Sequence, residues 1–215
     1  MSALGAVGYI LVGLDLLRRA LDEGDGVRRP PLGAVPNKGR NGLGPVSGKL
    51  VKSLTIDDRI RRISKLTKEA GREPRVREAA LRVLTKRCGP TWCTKEKDWT
   101  AEAKGLFGYC RDQVRYTRDP VKHDTYVAGV RTLFDWHGGD CDDMTIALGG
   151  LLLSVGFDVD LIVVQTTGNN SWNHIYLAAI LPDGKSFIPL DPSMDKPAGW
   201  EVPRSMVVKR KVVRV

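Results

Sequence analysis

The chain has 215 residues, of which 42% are hydrophobic and 27% charged, with a formal net charge of +9. This composition is ordinary for a soluble protein and excludes a chain too polar to bury a core; the length allows one domain with extensions, or two small domains. Four cysteines, Cys88, Cys93, Cys110 and Cys141, do not make a disulfide framework for a chain of this length, which points to a reducing environment or free thiols.

The charge is unevenly spread. Between Phe134 and Asp195 there are nine Asp and one basic residue, Lys185, so this segment is net −8 and the rest of the chain +17. An acidic face on a basic body favours cationic substrate groups or an anionic docking partner.

The first segment, MSALGAVGYILVGLDLLRRAL, is apolar. It lacks the positive leader of a signal peptide, and Asp15 interrupts it short of a membrane span. Leu4, Val7, Leu11 and Leu14 fall at helical spacing, which predicts an amphipathic docking helix. Residues 24–50 are rich in Gly and Pro and carry Arg28, Arg29, Lys38, Arg40 and Lys49, the composition of an extended basic arm. Residues 1–54 therefore read as helix plus arm.

A helix is expected from Thr55, with Asp58 as capping-box partner, Ile60, Ile63 and Leu66 inward, and Gly71 at its end. Pro74 opens a second helix with Val76, Ala79, Ala80, Val83 and Leu84 inward. Cys88 and Cys93 could pair, or bind zinc with Cys110 and His123, although the spacing lacks a Cys-x-x-Cys knuckle. A third helix runs from about Thr100 to Val114, followed by the extended strip VRYTRDP. The next helix covers about Asp142 to Leu153 and stops at Gly156. The period then changes: FDVDLIVVQ, NHIYLAAIL and SFIPL read as strands, the last two joined by the turn PDGK. SMVVKRKVVRV, within the basic segment 201–215, is a tail or a final strand. Helices followed by antiparallel strands give an α+β fold, with helices packed on a small sheet over residues 55–200.

Cys141 lies at the start of an apolar helix, where unsatisfied N–H groups favour an anion and help hold an oxyanion. The neighbouring Asp140, Asp142 and Asp143 oppose the thiolate, so activation must come from a histidine. His174 opens a strand and Asp191 ends the next one, placed to orient an imidazole. His137 is a rival base, too close to Cys141 along the chain to face it. The three acids read first as helix capping, with cation binding as the alternative.

The run GGDCDD before an apolar helix, then NHIYLAAILPDGKSFIPLDPS, resembles the transglutaminase-like cysteine-enzyme superfamily, in particular its bacterial and phage-borne members. VRYTRDP and TLFDWHGGDC extend the resemblance, which covers residues 99–195. It implies a papain-like core with Cys141 as nucleophile, His174 as base and Asp191 as orienter. It also implies thioester chemistry on an amide, with Trp136 or a backbone N–H supporting the oxyanion and Asp142 in support beside the nucleophile. No metal or cofactor is called for. Two departures, NHIY in place of the longer His-Ala-Trp-type motif and the lack of the calcium-binding segments of animal transglutaminases, argue against protein cross-linking.

The expected function is hydrolysis of a peptide or amide bond in a peptide or protein substrate. The alternative is a virion structural or assembly protein that carries the same domain, self-associating through the N-terminal helix and arm. Nucleic-acid binding has no recognised module behind it. The expected location is the cytoplasm or a phage particle, with no transmembrane segment.

Overall fold

The computed structural model describes residues 54–120 and 124–215. The expected apolar helix of Leu4, Val7, Leu11 and Leu14, the expected basic arm and His123 lie outside the described residues.

Helix α1, Ile56–Arg72, starts where expected: Thr55 and Asp58 close a reciprocal capping box. It buries Ile60, Ile63, Thr67 and Ala70 along one stripe, while Leu66 is partly buried. It runs one residue past Gly71 to Arg72. Helix α2, Pro74–Leu84, has Pro in its first turn and buries Val76, Ala79 and Ala80. A two-stranded hairpin follows, β1 (Arg87–Cys88) and β2 (Thr91–Trp92). Here the structure corrects the free-thiol and zinc expectations: Cys88 and Cys93 form a disulfide across the hairpin, leaving Cys110 and Cys141 as thiols. Helix α3, Trp99–Gln113, is capped by Asp98.

The strip after α3 becomes β3 (Arg115–Tyr116), paired in parallel with β4 (Gly138–Gly139). Between them lie a helical turn, α4 (Gly129–Arg131), and a π-turn, Thr132–Trp136. His137 then takes φ 52°, which reverses the chain into β4. Gly139 is required by close approach, because a Cβ there would fall 2.5 Å from Cβ of Asp143.

Helix α5, Cys141–Ser154, is apolar through most of its length and buried on nearly every side. Such a helix is stable only at the centre of a domain. One flank meets α1, α2 and α3; the other meets a four-stranded antiparallel sheet ordered β7-β6-β5-β8. The strands are β5 (Asp158–Thr166), β6 (His174–Ile180), β7 (Phe187–Leu190) and β8 (Val207–Arg214). The sequence left residues 207–214 as tail or strand; they form a strand on β5, with Leu161 opposite Val213. The principal core packs α5 against Leu161, Val163, Ile175 and Leu177, and a second cluster on the far face joins Ile162, Val164, Tyr176 and Val202. The architecture is the expected α+β arrangement. Among the described residues no helix is long and apolar enough to cross a membrane.

Candidate active site

Cys141 is the first residue of α5, and Asp140 is the N-cap, accepting from the Asp142 N–H at 3.1 Å. The thiol therefore sits at the positive end of a fourteen-residue helix. Thr145 Oγ1 donates to the Ile175 carbonyl at 3.4 Å, which ties the first turns of α5 to β6 one residue beyond His174.

The start of β6 is fixed from the other side. Asn173 accepts from the Thr166 N–H at 2.8 Å and donates to Thr166 Oγ1 at 2.9 Å, locking the residue before His174 to the end of β5. β6 pairs antiparallel with β7, and Asp191 follows the last residue of β7 directly. His174 Nε2 donates to Asp191 Oδ2 at 2.6 Å. Asp191 is 3% exposed, and its other oxygen accepts from the Ser193 N–H at 3.2 Å and hydroxyl at 2.7 Å. With Nε2 committed to Asp191, the ring nitrogen left for other work is Nδ1.

Cys141, His174, Asn173 and Ile175 line one cavity of about 210 Å³, together with Trp172, Tyr126, Asp124, Asp140 and Asp142. A larger open pocket of about 390 Å³ between Lys95–Thr100 and Leu181–Pro182 contains none of the sequence-predicted site residues.

The electrostatics of this cavity are dominated by acid. Burial, and then the charges of Asp140 and Asp142, push the Cys141 thiol well above its ordinary range; the Ile175 N–H works in the opposite direction. Burial disfavours the His174 imidazolium, but the charge and hydrogen bond of Asp191 outweigh it, so the His174 pKa is raised. Asp142 is raised well above the carboxylate range by burial and by Asp140 and Asp143. Asp143, buried beneath the Val127 N–H that it accepts at 2.7 Å, is raised to about 7, chiefly by burial. Asp140, Asp142 and Asp143 each bring one oxygen within 4.8 Å of the others, an all-oxygen set of the type hard cations accept.

The structure brings together Cys141, His174, Asp191 and Asp142. It separates two others. Trp136 is 41% exposed at the end of the π-turn, beside Arg131, and does not line the cavity. His137 donates from Nδ1 to the Gln113 carbonyl at 3.1 Å, a structural role at the β3–β4 junction. Trp172 and Tyr126 supply the cavity's aromatic wall instead. Neither was singled out from the sequence. The only local signal for Trp172 is its place two residues before His174.

Residues 86–192 match the family model of the transglutaminase-like superfamily. This segment is a transglutaminase-like superfamily domain. The match starts at the disulfide hairpin, upstream of the 99–195 stretch whose motifs resemble the family, and ends just after Asp191. No curated protein matches the chain. Among solved structures, calcium-bound LapG of Legionella pneumophila is similar at 18% identity and TM-score 0.44, over 69% of this chain and 83% of LapG. A candidate cysteine protease of Cytophaga hutchinsonii is 11% identical with TM-score 0.45, over 76% of this chain and 57% of its own. A candidate protease of Parabacteroides distasonis is 14% identical with TM-score 0.44; the match covers 63% of this chain and only 26% of that one.

Proposed function

We propose that this transglutaminase-like domain is a cysteine hydrolase that cleaves a peptide or amide bond through Cys141, His174 and Asp191. The observation that carries the reading is the His174–Asp191 hydrogen bond of 2.6 Å, made by the ring nitrogen that leaves Nδ1 unspent, in a cavity that also holds the Cys141 thiol. The family match supports the same chemistry.

The electrostatics define how the thiol is used. Because its environment favours the protonated form, Cys141 rests as a thiol rather than as a preformed ion pair. His174 therefore acts as general base during attack. The Sγ proton passes to Nδ1 as Sγ bonds to the scissile carbonyl carbon, and the developing imidazolium is stabilised by ionised Asp191. The helix N-terminus favours the oxyanion. Collapse breaks the C–N bond; His174 returns the proton to the leaving amine, and a thioester remains on Cys141. Water, deprotonated by the same imidazole, then releases the acid and regenerates the thiol.

Hydrolysis of a casein digest, followed by mass spectrometry of new termini, tests this. Wild-type protein generates new termini; Cys141→Ala and His174→Ala, both folded by circular dichroism, do not. Cleavage that persists in Cys141→Ala refutes the proposal.

A further inference from the structure

The cavity beside Cys141 holds an acid whose side chain is only partly satisfied. Among the described residues, Asp142 Oδ1 is buried and has no hydrogen-bond partner. Among the described residues no Lys or Arg pairs with Asp140 or Asp142; Arg59, the basic residue that lines the cavity, is paired with Asp124. A buried acceptor left empty costs free energy, and two carboxylates in one cavity repel each other. The same cavity has aromatic walls, Tyr126 and Trp172. The Arg62 guanidinium lies 5.4 Å from the Tyr126 ring centroid, within cation–π range. Carboxylate and aromatic faces together make a receptor for an organic cation.

We propose that the wall formed by Asp140, Asp142, Tyr126 and Trp172 binds a cationic side chain of the substrate, a lysine ammonium or arginine guanidinium next to the scissile bond. This rests on the hydrolase reading and names its substrate class. It also gives the acids a function. They add to burial in opposing the thiolate, and a bound cation offsets their share of that opposition.

Charge-matched thiol reagents test the pocket independently of turnover. The full chain is treated with methyl, aminoethyl and sulfonatoethyl methanethiosulfonate. Each transfers its thioalkyl group to Cys141 Sγ, releasing methanesulfinate and the thiol proton. Rates at Cys141 are read by mass spectrometry and divided by the rate with a small free thiol. The cationic reagent should lead the anionic one by about 10–100-fold. The ratio should fall toward one in Asp142→Asn or in Asp140→Asn, which keeps a good helix cap. It should be the same in EDTA and in micromolar calcium. Equal rates in wild-type protein overturn the proposal even if neither variant folds, as does a ratio unmoved in a folded variant. Saturable loss of the ratio with calcium also overturns it, because the carboxylates then belong to a metal. Casein cleavage without a charge preference removes this inference and leaves the hydrolase reading; a charge preference without cleavage removes the hydrolase reading instead.

Discussion

Gly150→Ala should destabilise the protein, although alanine is the better helix former. Gly150 lies on the flank of α5 that meets α1. A methyl group there would fall 2.5 Å from Cβ of Ala70, 3.1 Å from its carbonyl carbon and 3.4 Å from its Cα. Carbon atoms pack at about 3.5–4.0 Å, and two of these three neighbours are backbone, which cannot rotate away. Helix propensity favours Ala by about 1 kcal/mol. Overpacking a fitted core costs about 1–3 kcal/mol, and a clash with backbone belongs at the upper end. The net loss is about 1–2 kcal/mol, or about 2–8 °C in Tm for a domain of this size. Gly108 of α3 is the control: its methyl would meet nothing within 4 Å, so Gly108→Ala should gain up to about 1 kcal/mol. Urea unfolding of both variants in the full chain reads the two signs. A Gly150→Ala protein as stable as Gly108→Ala would show that α1 and α5 are not in the described contact. Cys141 lies about 14 Å along the helix from Gly150, so its alkylation rate should be unchanged in the folded variant.

Asp191→Asn removes the charge behind His174 but keeps a hydrogen-bonding group; hydrogen bonds to charged groups are worth about 1.5–3 kcal/mol, so kcat should fall about 10–150-fold with little change in KM. A kcat within twofold of wild type would exclude Asp191 as the orienting group. Alkylation of the unfolded, non-reduced chain should block two of the four cysteines, Cys110 and Cys141, and all four only after reduction; four blocked thiols without reduction would remove the disulfide. Asp143 titrates at about 7 when folded, against 3.8 as its ordinary value. The folded state therefore binds the extra proton, and stability should fall as pH rises from about 4 to 7. Asp143→Asn, which retains the acceptor for the Val127 N–H, should flatten that slope; an equally steep slope in the variant would mean that another group carries it.

Local rules explain what was legible in the sequence. The Thr55–Asp58 box encodes a helix start through side chains that satisfy backbone N–H groups, Pro74 does so through its fixed φ and missing N–H, and Gly156 marks the end of α5 because the chain there takes φ 95°. The candidate triad residues were legible for a related reason. Each sits at the end of an element, and ends are where hydrophobic period changes to punctuation. Long-range partnerships were not legible. β8 could be read as a strand, but its place on β5 depends on a register between segments some fifty residues apart. Cys88 and Cys93 are five residues apart; their spacing left pairing and zinc binding both open, and the hairpin that sets Arg87 opposite Trp92 and Cys88 opposite Thr91 decides for pairing.

The acids around Cys141 show how far a rule of composition reaches and where geometry takes over. An aspartate cluster at a helix start satisfies capping and dipole preferences at any of its positions, so the sequence treats Asp140, Asp142 and Asp143 as equivalent. The fold makes them unequal. Asp140 caps the helix, Asp143 turns inward to the Val127 N–H, and Asp142 is left with a buried oxygen that no described residue satisfies. Capping accounts for the first and loop anchoring for the second. Neither accounts for the unsatisfied oxygen of Asp142, beside a nucleophile whose ionisation that acid opposes. A residue that costs stability is explicable if its partner arrives with the substrate, and the charge-matched thiol reagents test Asp142 for that role.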